Sequence, residues 1–260
     1  MSEHMIAARG KYRLEYVGIV WSFRSAHMAD LSLRAVNALV VRTYLAPDEY
    51  FQALEPAHLA VFRSGELPWE NADARVPLRS WLCALPSAVA LIVIRLILGH
   101  SAGPRSKLAA PRLAHSSLAA RADAGVHACA SQLLGHEAAR LASAHLFLSW
   151  FACDVLVRTP PSSLGACLSG AAMAHWPWTS SKHARWSSFA LTSMLAALSG
   201  AVHPPAAVPW AVLMLERLVS LRGRQLLAYI SVIIPSALLS LVRSPCTYDC
   251  QLLMQPSMLR

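Results

Sequence analysis

The sequence predicts an all-α protein, a polytopic membrane helical bundle. Three observations carry that prediction. Only 14% of the 260 residues are charged, 55% are hydrophobic, and mean hydropathy is +0.41. Typical soluble domains carry roughly 25% charged residues, so this chain has too few charges to cover a globular surface in water. Long apolar stretches separated by short basic connectors recur along the chain. No strand-like alternation is long enough for a β domain, and no internal repeat is visible.

A membrane-spanning helix needs about 20 mostly apolar residues to cross roughly 30 Å of hydrocarbon. Ser80–Gly99, Ala138–Val157, Phe189–Leu215 and Gln225–Val242 meet that requirement, although Pro204, Pro205 and Pro209 interrupt the third. Three weaker stretches carry charge. They are Leu31–Leu45 with Arg34 and Arg42, Leu113–Leu134 with Arg121 and Asp123, and Leu164–Trp178, which is short. One Arg or Asp at a helix centre costs about 2.5–3.5 kcal/mol on insertion scales, so such segments need neighbouring helices or a water-filled cavity. The expected organisation is a cytosolic segment 1–30, a multi-span region 31–242 and a tail 243–260. Polar and charged residues from Ser2 to Glu15 argue against a cleavable signal peptide.

The net charge of +9 does not indicate nucleic acid, because the basic residues are scattered through connectors rather than clustered on a polar domain. They fit the positive-inside rule. Arg9, Lys11, Arg13 and Arg24 place the N-terminus in the cytosol, as do Arg105, Lys107 and Arg112 for the connector His100–Arg112, and Arg217, Arg222 and Arg224 for a later one. The segment 46–79 then falls on the lumenal side. Among the cysteines, Cys83, Cys129, Cys153 and Cys167 read as small buried hydrophobes. Cys246 and Cys250 have no partner pattern for zinc, and could pair in an oxidising lumen. Trp176, Trp178 and Trp186 mark an interfacial stretch.

The segment 46–79 stands apart. Six of the 14 acidic residues lie between Asp48 and Asp73, and none between Arg75 and Arg121. Pro47 ends the preceding helix, and Asp48 and Glu49 follow at once. Two readings stay open on residue chemistry alone. In one, an acidic pair in a first helical turn complements the helix dipole as a cap. In the other, neighbouring carboxylates repel, one pKa tends to rise, and the carboxylate takes a proton from a substrate hydroxyl. Tyr44, Tyr50, Phe51 and Phe62 lie close in sequence, as sugar or lipid sites require.

The ordered run Pro47, Asp48, Glu49, Tyr50, Phe51, Gln52, Leu54, Glu55, Ala57, His58, then Leu67, Trp69, Glu70, then Arg79, Ser80 resembles the start of the GPI mannosyltransferase family. This is a multi-span glycosyltransferase group, part of glycosyltransferase family 22. Arg158, Thr159, Ser163 and Leu164 are similar to a later element, with Ser162 where the family has Asn and Gly165 where it has Glu. Ala201–Leu213 resembles a further segment, with His203 in place of Arg. The family's later His-Lys-Glu element has no counterpart, so the chain is expected to be a truncated or reduced member.

The resemblance implies the N-terminal half of a GT-C glycosyltransferase, in the endoplasmic reticulum membrane. It would transfer mannose from dolichyl-phosphate mannose to a GPI-anchor glycolipid, with no cofactor, no metal and no nucleic acid. Tyr50 favours the enzyme adding the third mannose. Under that reading Asp48 is the base and Glu49 its catalytic partner. Tyr50, Phe51, Gln52 and Trp69 bind substrate, and Arg79 or Arg158 neutralises the leaving phosphate by bidentate contact. His58 reads as a packed polar residue. Asp123 and Asp154 read as partners for Arg121 and Arg158. The alternatives are an inactive relative that keeps the first half of the fold, and a small-solute transporter using Asp123, Asp154 and the proline-broken stretch.

Overall fold

The computed structural model describes residues 30–41, 43, 46–68, 81–178, 186–220 and 224–241. Among the described residues there are helices and connecting turns, and no strands. The all-α expectation holds. Helix α1 covers 30–40. A π-helical turn, Tyr50–Leu54, leads into α2, Glu55–Phe62. A 3-10 turn at Trp81–Cys83 precedes α3, Leu85–Leu98. Next come α4, Pro104–Leu134, and α5, His136–Leu148, followed by a second π-helical turn, Phe151–Val155. The last four helices are α6, Pro161–Met173; α7, Trp186–Val202; α8, Ala207–Ser220; and α9, Arg224–Leu241.

The 31 residues of α4 make it about 46 Å long at 1.5 Å per residue. Its buried face repeats at helical spacing through Pro111, Arg112, His115, Ser116, Ala119 and Asp123. It packs against α3, α5 and α6. The α4–α6 crossing is made of small residues. A Cβ on Gly125 would overlap the Gly170 carbonyl oxygen, and one on Gly170 would lie 2.6 Å from the Ala122 Cβ. Small residues let backbones approach this closely, as they do between helices in lipid. A second centre joins α6 to α9. Trp176, Phe189, Trp210 and Tyr229 are buried together, with Phe189 and Tyr229 stacked at 4.4 Å. A hydroxyl ladder ties α6, α7 and α8: Trp210 Nε1 donates to Ser169 Oγ (3.1 Å), Ser169 Oγ lies 2.7 Å from Ser199 Oγ, and Ser199 Oγ donates to the Gly165 carbonyl (2.9 Å).

The expected spans are shorter than the apolar stretches suggest, and among the described residues no helix is long and apolar enough to cross a membrane. Ser80–Gly99 becomes a 3-10 turn followed by the 14-residue α3, which ends at Gly99 with φ 71°. Ala138–Val157 breaks at Ser149, which is extended (φ −72°, ψ 120°). Phe189–Leu215 folds into α7 and α8 around Pro204 and Pro205, because proline cannot donate to the helix ladder and clashes with the turn before it. Gln225–Val242 is matched closely by α9. Of the weak stretches, Leu31–Leu45 contains α1, Leu164–Trp178 contains most of α6, and Leu113–Leu134 is the C-terminal part of α4.

The contacts place the start of α4 beside the acidic segment. Arg34 of α1 meets Asp123 of α4, and Arg112 of α4 donates to the Val41 carbonyl just past α1. The two helices therefore run antiparallel. Beyond them Lys107 sits over the Phe62 ring at 4.0 Å, and Arg95 donates to the Val61 carbonyl. The connector expected in the cytosol and the segment expected in the lumen lie at one end of the bundle. The physical reason is that α4 starts at Pro104 rather than at Leu113. Arg112 is thus two turns inside a helix and is neutralised there by protein, so it does not serve as a loop charge that resists translocation.

Replacing Gly125 by Ala should separate α4 from α6 and cost about 1–3 kcal/mol, the usual cost of overpacking a close contact. The check is a fall in the thermal denaturation midpoint relative to Gly103→Ala, at a position with open space around the Cβ and an ordinary backbone conformation.

Candidate active site

Pro47 opens a helical turn in which its carbonyl accepts from the amides of Tyr50 (3.0 Å) and Phe51 (3.1 Å). The turn continues as the π-helical segment Tyr50–Leu54 and then as α2. Its two faces differ. Glu49, Gln52, Ala53, Pro56 and Ala57 are buried, whereas Asp48 and Phe51 are exposed. Residues three apart share a helix face and adjacent ones do not. The two neighbouring carboxylates are thus separated, one directed inward and one outward.

Glu49 is 1% exposed and held between two buried arginines. Its Oε1 accepts from Arg112 Nη2 at 3.0 Å and Nε at 3.2 Å, and its Oε2 accepts from Arg158 Nη1 at 2.9 Å. Its backbone carbonyl accepts from Thr159 Oγ1 at 3.1 Å. Glu49, which flanks the π-helical turn, makes no side-chain cap hydrogen bond to it. Asp48 has no hydrogen bond or ion pair with a described residue. Among the described residues it is the unpaired carboxylate at the edge of the cluster, with exposed Phe51 one turn along on the same face.

Arg158 has no N–H to spare. Nη1 donates to Glu49 and to the Thr43 carbonyl (2.7 Å), Nη2 to Thr43 Oγ1 (2.7 Å) and Asp154 Oδ1 (3.0 Å), and Nε to Asp154 Oδ2 (3.3 Å). A guanidinium has five N–H donors, and all five are engaged on a side chain with no exposed surface. The phosphate-neutralising role expected of Arg158 is therefore not one that this arrangement provides. It orients Glu49 instead. Asp154 pairs with Arg158 as expected. Asp123 does not pair with Arg121: it takes two bonds from Arg34, Nε to Oδ2 at 2.7 Å and Nη2 to Oδ1 at 3.0 Å. Both intrahelical acids expected of a transport pathway are thus paired inside the bundle. His58 packs as expected, stacked on Phe62 at 4.9 Å with Nδ1 2.8 Å from the Ser64 carbonyl oxygen. Trp69, Arg79, Cys246 and Cys250 lie outside the described residues.

The sequence reading missed Arg112, Thr43 and Thr159 as members of the cluster. A signal for Arg112 was present. An ionisable group inside a helical segment of a membrane protein needs a partner, and that rule was applied to Asp123 and Asp154. Arg112 escaped it because the helix was drawn from Leu113, just past Arg112, rather than from Pro104. Thr159 stands in the element that resembles the family, beside Arg158, whereas Thr43 carries no such signal. Among the described residues no three His, Cys, Asp or Glu side chains come together as a metal site.

Comparison with known proteins places this geometry. The GPI alpha-1,2-mannosyltransferase 3 of Mus musculus is 31% identical over 184 residues, 71% of this chain and 32% of the relative. The GPI mannosyltransferase 3 of Yarrowia lipolytica is 29% identical over 201 residues, 77% of this chain and 38% of the relative. The Saccharomyces cerevisiae GPI mannosyltransferase 3 is 44% identical over 62 residues, 24% of this chain and 9% of the relative. The chain thus spans about a third of the length of the longer-matching relatives. No solved structure matches it. A profile of the Alg9-like mannosyltransferase family matches residues 26–250, which include the acidic turn, Arg112 and Arg158. The chain belongs to the Alg9-like mannosyltransferase family.

Proposed function

We propose that the chain is a multi-pass mannosyltransferase of the endoplasmic reticulum membrane that moves mannose from dolichyl-phosphate mannose to a GPI-anchor precursor, adding the third mannose. The observation that carries this reading is the division of labour in the acidic turn. Glu49 is consumed by Arg112 and Arg158, and the adjacent Asp48 is left free and exposed beside Phe51. A base must be able to reach the proton it removes, and of the two carboxylates Asp48 alone meets that condition.

In the proposed step the acceptor hydroxyl oxygen forms a bond to mannose C1 as its proton passes to Asp48. The bond from C1 to the phosphate oxygen breaks, and dolichyl phosphate leaves with the electron pair. Attack from the face opposite the phosphate inverts C1, which takes a β-linked donor to an α-linked product. Phe51 and Tyr50 offer aromatic surface for the sugar ring, and Trp69 shares that role. With Arg158 saturated, the guanidinium that meets the leaving phosphate is assigned to Arg79. Gln52 is buried, on the face of Glu49, and so supports the turn from within. The relatives' names support the acceptor class and the third-mannose step.

The distribution of side chains supports a membrane location. Val89, Val93, Leu96 and Ile97 of α3 and Val212 and Val219 of α8 are exposed, while Arg34, Glu49, Arg112 and Arg158 are buried. Soluble monomers rarely expose contiguous aliphatic faces of that kind, whereas lipid solvates them. Paired polar groups in the interior are what a bundle in hydrocarbon requires.

Two outcomes are expected. Asp48→Asn should lower mannosyl transfer by about 10²–10⁴-fold, the usual contribution of a general base, with normal accumulation of the protein. Rescue of GPI-mannosylation-deficient cells by this variant at the parental level would remove Asp48 as the base. Glu49→Gln should behave differently. Breaking a buried ion pair from one side costs about 3–5 kcal/mol, so the variant should accumulate poorly and melt early, as measured by its level in membranes and its detergent-extracted denaturation midpoint.

A further inference from the structure

A second buried ion pair lies deeper in the bundle, outside the acidic turn. Arg34 of α1 is fully buried and Asp123 of α4 nearly so. The guanidinium grips both carboxylate oxygens of Asp123, and its remaining terminal nitrogen, Nη1, donates to the carbonyl of Ala152. Ala152 sits in the π-helical turn Phe151–Val155. Two residues on, in the same turn, Asp154 takes both of its bonds from Arg158. Arg158 in turn holds Glu49, the N-terminal flanking residue of the other π-helical turn. A continuous chain of contacts therefore runs from Asp123 through Arg34, the backbone of the Phe151–Val155 turn, Asp154 and Arg158 to Glu49, next to Asp48.

A π-helical turn carries an irregular hydrogen-bond ladder, and such turns occur as local deformations at functional sites. In this one the amide of Leu156 reaches the Phe151 carbonyl at a long 3.4 Å, while the Ala152 carbonyl is taken by Arg34. The irregular turn is thus pinned by a charged donor, and that donor is fixed in orientation by its two-point grip on Asp123. Holding one helix to another would need only apolar packing, which at a buried ion pair is often as stable. The bidentate geometry adds direction: it sets where the Ala152 carbonyl lies, and through the turn it sets the position of Asp154.

We propose that Arg34 and Asp123 are positioning residues for transfer, acting on the acidic turn through the Phe151–Val155 turn. This inference rests on the mannosyltransferase reading for its activity readout, and amide exchange provides a readout that does not.

The test uses the full chain. Single substitutions orphan a buried charge and can simply prevent folding, so the informative variant removes both charges, Arg34→Met with Asp123→Leu. Its controls are Asp123→Glu, which keeps the pair, and Arg140→Ala, which removes an exposed pair with Glu137 on α5. The double variant is expected to accumulate at the parental level with KM for the lipid donor within about twofold, while kcat falls about tenfold or more, the signature of lost positioning rather than lost binding. Amide hydrogen exchange across 152–158 should accelerate, by about tenfold or more, as local opening becomes easier. Asp123→Glu should recover part of kcat, and Arg140→Ala should change neither readout. A double variant with parental kcat, or with unchanged exchange across 152–158, overturns the proposal. If the parental chain transfers no mannose, the mannosyltransferase reading fails, and the exchange result still decides whether the pair controls the turn.

Discussion

A carboxylate without solvent is unstable unless opposite charge meets it where it lies. Glu49 is in that situation, and the region that positions the site follows from how it is met. Its two partners come from different parts of the chain, Arg112 from the long helix α4 and Arg158 from the connection into α6. To deliver them, α4 must extend back to Pro104, and the Phe151–Val155 turn must bring Asp154 under Arg158. Two buried positive charges against Glu49 and Asp154 leave the cluster neutral. In a medium of low dielectric, neutrality of this kind is a condition for the arrangement to exist at all. Asp48 gains its freedom from the same constraint: the turn that sends Glu49 inward sends its neighbour outward.

The bundle repeats this logic at a second level with Arg34 and Asp123. Paired polar groups lie in the interior among apolar clusters, small residues line helix crossings, and aliphatic side chains are also exposed. Beside the apolar clusters, association of helices draws on close approach at Gly125 and Gly170, on the Ser169–Ser199 hydroxyl ladder, and on paired charges. These interactions do not depend on water for their driving force.

How much was legible beforehand follows from where each signal resides. The order Pro47-Asp48-Glu49 with Tyr50, Phe51 and Gln52 is local, and it marks the turn that the structure folds around buried Glu49. Helix content was legible for the same reason. Span lengths were not, because mean hydropathy does not register that Ser149 is extended or that Ala152 gives its carbonyl to Arg34. The burial of Arg112 was not legible either, since a charge count treats every arginine near a helix end as solvated, and this one is neutralised by Glu49.

The sequence by itself determined the family, the helical class and the acidic turn, all of which depend on residue identity and spacing along the chain. Only the tertiary structure decided which of two adjacent carboxylates is buried, that all five N–H groups of Arg158 are taken by protein, and that Asp123 answers to Arg34 across 89 positions rather than to Arg121 beside it. Those outcomes depend on which groups meet after packing. A buried charge takes whichever partner the fold brings within hydrogen-bonding distance, and nearness in sequence does not fix that choice.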